Sequence, residues 1–230
     1  MAKNKLKRFA DMKTMSCVFE PAMETVEKDN FDLKGNWRTD YFKNDHPLIV
    51  ELGCGKGEYT IGLGQKYPEK NYIGMDIKGA RMWEGANTVR EEGLQNIAWV
   101  RTRIEFVDTF FGNNEVDEIW LTFSDPQPNK PRKRLSSKLF LDRYRKFLKP
   151  GGLIHLKTDN DLLFASTLQE VEEVGGEILE KTWDLYGEMP SDLNTETQEI
   201  LSIKTHYEKI FSEKGYKIKY GRFRINPSSE

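Results

Sequence analysis

The stretch from Leu48 to Asp76, LIVELGCGKGEYTIGLGQKYPEKNYIGMD, constrains the fold more than any other part of the chain. Leu48 to Leu52 is a short apolar run suited to a strand buried on both faces. Gly53, Gly55 and Gly57 follow at alternate positions, where a residue without a Cβ lets the backbone turn sharply and approach a ligand. Glu58 to Tyr67 can form a helix whose first turn points free amides toward that ligand. Tyr72 to Met75 reads as a second strand with Asp76 at its carboxyl end, where a carboxylate can accept both hydroxyls of a ribose.

Two ligands suit such a crevice. A dinucleotide fingerprint is spaced Gly-x-Gly-x-x-Gly, whereas this turn is spaced Gly-x-Gly-x-Gly and is preceded by Glu51 inside the strand. The Glu51 carboxylate would repel a pyrophosphate, yet it suits a ligand that carries an ammonium and a sulfonium. The turn therefore points to S-adenosyl-L-methionine rather than NAD.

With 230 residues the chain can bury one good core, and two independent domains would be cramped. The expected division is an N-terminal basic arm and packing segment over residues 1–45 and a methyltransferase domain over 46–230. No apolar run approaches the roughly 20 residues of a membrane helix, and MAKNKLKRFADMK lacks the apolar core of a signal peptide. The expectation is a cytoplasmic protein with no membrane contact. Two cysteines, Cys17 and Cys54, do not make a disulfide framework, and with three histidines no zinc-ligand spacing occurs, so no metal is expected. Oligomeric state stays open between monomer and homodimer.

Charge is segregated along the chain. Asn129 to Lys149 holds nine Lys or Arg against one acid, and Ile203 to Arg224 holds seven against two. Glu177 to Glu199 reverses the balance, with seven acids against one lysine. A chain of net charge −2 with such basic segments can still bind a polyanion through one face.

Patterning extends the α/β alternation. Residues 1–12 read as a mobile basic arm, and Phe31, Trp37, Tyr41 and Phe42 as aromatics packed on the main domain. Gly79 to Glu92 has helical spacing, Ile97 to Val100 is a third strand, and Arg101 to Val107 falls where a cofactor crevice meets adenine. Val116 to Phe123 is a fourth strand broken by Pro126 and Pro128 into a rigid loop. Leu135 to Leu148 reads as a helix with Leu139, Phe140, Tyr144, Phe147 and Leu148 inward. A strand at Leu153 to Lys157, a helix from Asp161 to about Val174, a strand at Glu177 to Leu185, a helix at Thr197 to Glu213 and a strand at Lys217 to Phe223 complete the pattern. The alternation predicts an α/β fold with a doubly wound, Rossmann-like, mostly parallel sheet; with the motifs below, the expected form is that of a class I methyltransferase, with an antiparallel edge strand. Trp83, Trp99, Trp120 and Trp183 are read as core, His46 as a loop residue and His155 as a strand residue.

The loop FSDPQPNKPRKR, Phe123 to Arg134, is the second informative stretch. Asp125 at the strand end would face a methyl donor across the crevice, and Arg132, Lys133 and Arg134 behind it could hold a phosphodiester backbone. ELGCGKGEYT, this loop, KTDN at Lys157 to Asn160 and THYE at Thr205 to Glu208 together resemble the bacterial tRNA (guanine-N7-)-methyltransferase family, over roughly residues 45–225. The resemblance implies methylation of the variable-loop guanine 46 of tRNA, with Glu51 and Asp76 binding the cofactor and Asp125 serving both cofactor binding and catalysis. It implies substrate contacts from Asp159, Thr205, His206, Tyr207 and Glu208. Two positions depart from the family pattern. Arg103, beside Ile104, stands where many members have Asp, leaving adenine to backbone amides or Glu105. Asn129 stands at the usual substrate lysine, leaving Lys130 as its replacement.

The chemistry of the base agrees with that assignment. Guanine N7 carries a free lone pair and no proton, so a methyltransferase of this kind needs alignment and a carboxylate for the developing positive charge, not a strong base. Asp125 is the candidate for that charge, with Asp159 and Glu208 as acceptors for the guanine N1 and N2 hydrogens. Two alternatives share these features: a methyltransferase of another RNA or a protein, and a non-catalytic RNA-binding module on the same fold.

Overall fold

A computed structural model describes residues 2–188, 193 and 195–225. Among these residues eight strands form one sheet: β1 (Val18–Phe19), β2 (Leu48–Leu52), β3 (Asn71–Asp76), β4 (Ile97–Arg101), β5 (Val116–Thr122), β6 (Leu148–Thr158), β7 (Glu177–Thr182) and β8 (Lys219–Arg224). Their order is β1-β4-β3-β2-β5-β6-β8-β7. All neighbours from β1 through β6 pair in parallel, and β8 runs antiparallel between β6 and β7. Helices α1 (Ala2–Met12), α2 (Met23–Glu27), α3 (Glu58–Lys66), α4 (Gly79–Glu92), α5 (Lys138–Tyr144), α6 (Asp161–Glu173), α7 (Thr195–Leu201) and α8 (His206–Glu213) accompany them.

β2 is buried at all five positions, as its unbroken apolar run requires. From β2 the chain builds outward through β3 and β4, then returns to start β5 on the other side of β2. The strand order therefore reverses between β2 and β5, which opens a crevice beyond their carboxyl ends. Beneath that crevice the Trp99 indole lies against three glycines: a Cβ on Gly57, Gly74 or Gly85 would overlap its ring. Gly57 is also left-handed, at φ +78°, so both backbone and packing demand glycine there.

Several boundaries differ from expectation. The first residues are not a free arm: α1 lies along α4, where the Arg8 guanidinium donates to the Ala80 carbonyl at 2.9 Å and stacks over Trp83. Asp11 pairs with Arg90 at 2.9 Å and accepts the Trp83 indole N–H at 2.5 Å. The aromatics that follow do pack as expected, Trp37 and Phe42 being buried with Phe31 and Tyr41 against them. α5 is shorter than its apolar spacing predicts and leaves Leu139 39% exposed. β6 begins at Leu148 and runs through Pro150-Gly151-Gly152, with a register shift against β5 between Val116 and Glu118 absorbing the irregularity. The single helix expected at 197–213 is two, α7 and α8, because Thr205 caps a new helix start by accepting the Glu208 N–H. Trp183 is 44% exposed, with one edge against Phe164, so it is not a core residue. His155 is buried on β6, stacked on Trp120 at 3.9 Å and bonded to the Tyr220 hydroxyl at 2.9 Å.

Candidate active site

The carboxyl ends of β2, β3, β5 and β6 open onto a cavity of about 840 Å³. Its first wall is the turn after β2. Gly53, Gly55 and Gly57 all have positive φ, and the Gly53 and Cys54 N–H groups both donate to the Met75 carbonyl, at 2.8 and 3.1 Å. A Cβ on Gly55 would meet nothing within 4 Å, so the turn presents bare backbone to the cavity there. Asp76 fixes the turn from the end of β3: its carboxylate accepts the N–H of Gly55 at 2.9 Å and of Lys78 at 2.8 Å.

Glu51 lines the cavity but is not a bare carboxylate. It is 4% exposed and accepts the Thr60 N–H at 3.0 Å together with the hydroxyls of Thr60 and Thr122. Burial pushes its carboxyl up to about 7 against the opposing pull of those hydrogen bonds. Glu51 therefore ties β2, α3 and β5 together at the cavity floor.

Arg103, Ile104 and Glu105 form the wall beyond β4. The Glu105 carbonyl accepts from the Arg143 guanidinium, which holds this wall to α5. Arg103 is exposed, and its side chain caps no helix end.

Asp125 lies in the loop after β5, lining the cavity and exposed. Its Oδ1 accepts the Gln127 N–H at 2.9 Å, closing a turn of the kind short acidic side chains favour. Phe123 and Gln127, on either side, adopt left-handed backbone at φ 50° and 42°. Such conformations cost about 1–3 kcal/mol each and persist where the surroundings enforce them. Arg134 supplies part of that enforcement. It is 6% exposed and donates to the Pro126 carbonyl at 2.9 Å and the Ser166 hydroxyl at 2.7 Å, so it props the loop from inside and is not free to meet a phosphate. Arg132 and Lys133 remain exposed, and Lys130 and Lys133 line the cavity whereas Asn129 does not.

Asp159 lines the cavity just past β6, and partial burial raises its carboxyl above the ordinary carboxylate value. Asn160 caps α6 by accepting the Leu163 N–H at 2.8 Å. The last wall is the start of α8. Thr205, His206 and Tyr207 line the cavity, and the His206 N–H donates to Glu58 at 2.8 Å. Glu208 turns the other way: it is fully buried, 2.9 Å from Lys157, and does not reach a base in the cavity.

Several lining residues escape a reading of motifs. Lys56, Lys78 and Arg81 add cations at the rim, and Phe123 and Phe211 add apolar surface. The Phe211 ring lies nearly parallel to both Phe123 and Tyr207, with centroids at 6.3 and 6.4 Å. Its spacing of one helical turn from Tyr207 is the signal that would have found it. Together these residues make a cavity lined by both acids and cations, a lining that suits a cationic ligand beside a polyanion.

A family model described as a putative methyltransferase matches residues 45–220. A protein from Bacteroides fragilis named tRNA (guanine-N(7)-)-methyltransferase is 50% identical over 230 residues, covering 100% of this chain and 89% of that protein. A protein of the same name from Christiangramia forsetii is 46% identical over 226 residues, covering 97% and 99%. The chain belongs to the tRNA (guanine-N7-)-methyltransferase family. Among solved structures, the 16S rRNA methyltransferase KamB is similar with a TM-score of 0.63 at 12% identity, over 84% of this chain and 95% of that one. That likeness concerns the fold, which is the class I methyltransferase sheet.

Proposed function

We propose that this chain transfers a methyl group from S-adenosyl-L-methionine to N7 of guanine 46 in the variable loop of tRNA. The observation that carries the reading is the convergence of four segments distant in sequence on one cavity: the Gly53–Gly57 turn with Glu51 and Asp76, the Asp125 loop, Asp159, and Thr205 to Tyr207. The left-handed glycine turn, open at Gly55, and the acid at the end of β3 fit a nucleoside ligand. S-adenosyl-L-methionine, held by Glu51, Gly53, Gly55, Asp76, Arg103, Ile104 and Asp125, would supply an activated methyl group on a sulfonium.

The work left to the side chains is orientation and charge. N7 carries no proton, so Asp125 removes none; its carboxylate stabilises the positive charge that the base acquires with its new N7 substituent. Asp159, past the end of the adjacent strand β6, accepts the guanine N1 and N2 hydrogens and so selects guanine over adenine, which lacks them in that pattern. Thr205, His206 and Tyr207 border the base, and Lys130 supplies the cation that Asn129 does not. Lys56, Lys78, Arg81, Arg132 and Lys133 neutralise backbone phosphates and offset the few kcal/mol needed to turn the guanine out of its tertiary contacts.

The test is nucleoside analysis of tRNA incubated with the protein and labelled S-adenosyl-L-methionine. Label should appear as 7-methylguanosine and vanish when a transcript carries adenine at position 46. Label that persists in that transcript removes the position, and label in another nucleoside removes the activity.

A further inference from the structure

Lys157 sits where three walls of the cavity meet. Its carbonyl accepts the Phe123 N–H at 2.8 Å, at the point where β5 gives way to the Asp125 loop. Its side chain is fully buried, and Nζ donates to the carbonyls of Leu201 at 2.7 Å and Ile203 at 3.1 Å and lies 2.9 Å from Glu208 Oε1. All three ammonium donors are therefore directed at the α7–α8 segment. Glu208, also fully buried, receives the Tyr186 hydroxyl, and its own N–H goes to the Thr205 cap at 3.2 Å.

A buried ion pair of this kind contributes little net stability, because desolvating both charges offsets most of their attraction. What it does supply is direction, since each charge tolerates one arrangement of partners. Here the arrangement joins the main chain that holds Phe123 to the helix that carries Tyr207 and Phe211, whose rings stack in sequence with Phe123 along the cavity wall. Neither Lys157 nor Glu208 lines the cavity itself.

We infer that Lys157 and Glu208 form a positioning pair that sets the Phe123–Phe211–Tyr207 rings against the Asp125 loop, and thereby the surface on which the substrate purine lands. This rests on the proposed methylation of tRNA. The pair acts through the rings and touches neither substrate nor cofactor. Phosphate contacts at the rim do not depend on it, so loss of the pair leaves tRNA affinity largely intact while the target base sits out of line. A displacement near 1 Å is enough to cost about 100-fold in rate.

The experiment compares wild type, Glu208→Gln, and the paired replacement Lys157→Met with Glu208→Met, which removes both charges together. Expected for each variant are tRNA and S-adenosyl-L-methionine dissociation constants within threefold of wild type, and a single-turnover rate about 10- to 100-fold lower. A transcript with 2-aminopurine at position 46 reads the base directly: its fluorescence should be quenched on wild type and should recover on Glu208→Gln. Wild-type rate and wild-type quenching in Glu208→Gln would overturn the positioning role, whether or not the double variant folds. A wild-type protein that leaves tRNA unmethylated would overturn the proposed activity and this role with it.

Discussion

The Asp76 carboxylate accepts the Gly55 N–H at 2.9 Å, so the acid that ends β3 also sets the turn that follows β2. Replacing Asp76 by alanine releases the turn and, with it, removes the ligand contact proposed for this carboxylate. Calorimetry with S-adenosyl-L-methionine should show affinity at least about tenfold weaker, the size of one lost charge-assisted hydrogen bond. Unchanged affinity would separate Asp76 from the cofactor.

Glu51 makes stability depend on pH in a direction unusual for a carboxylate. Its carboxyl is raised from 4.5 to about 7 by burial, so between those values the unfolded chain has lost a proton that the folded chain keeps. Rising pH therefore favours unfolding across that window, by about 3 kcal/mol at about 1.4 kcal/mol per pH unit. Urea unfolding at pH 5 and pH 8 should show the loss in wild type and a flatter profile in Glu51→Gln. Parallel profiles would place the titration elsewhere.

Arg132 and Lys133 are separable from Arg134. Alanine at the first two should lower the salt dependence of tRNA binding by about two units of slope, close to one per lost phosphate contact. Alanine at Arg134 should leave that slope alone and destabilise the fold by about 1–2 kcal/mol, because the Pro126 carbonyl and Ser166 hydroxyl lose their donor. Salt titrations and urea midpoints on the two variants distinguish the roles, and a shallower slope in Arg134→Ala would contradict the buried geometry.

Asp125→Asn keeps an acceptor for the Gln127 N–H, so the loop retains its shape while losing its charge. A loss of about 2–4 kcal/mol of transition-state stabilisation corresponds to a single-turnover rate roughly 30- to 1000-fold lower with tRNA and cofactor saturating. A near-normal rate would transfer the electrostatic role to Asp159.

Gly57→Ala should be among the most damaging single-methyl changes in the chain. It drives a Cβ into the Trp99 ring from a backbone already at φ +78°, for a cost of about 3 kcal/mol. Trp99→Leu in the same background should recover part of the urea midpoint; an additive loss would mean the clash is not the cause.

The glycine turn, β2, β3 and α4 are legible in sequence because their determinants lie within a few residues of one another. Arg134 and Glu208 are not, although each adjoins a true cavity residue. Lys133 and Arg134 differ by one position, yet Arg134 points inward because the Pro126 carbonyl and Ser166 await it. Tyr207 and Glu208 diverge for the same reason, and the partner that claims Glu208 is Lys157, 51 positions earlier. The break between α7 and α8 carries no glycine or proline; the Lys157 ammonium replaces the helical partners that the Leu201 and Ile203 carbonyls forgo. Charge alone suggests a mobile arm at residues 1–12, and only α4 and β4, remote in sequence, show where α1 docks.

The antiparallel strand also orders events during synthesis. β8 begins at Lys219 but pairs with β6 on one side and β7 on the other, so β6 has only β5 beside it and β7 waits for its neighbour until almost all of the described chain has left the ribosome. Until then β6 presents a bare edge of backbone donors and acceptors, open to pairing with another nascent chain. The glycine-turn half can assemble first, because β2, β3, β4 and β5 need nothing downstream of Thr122 to pair among themselves. A nascent chain stalled before Lys219 would then hold the formed crevice between β2 and β5 and an aggregation-prone edge at once.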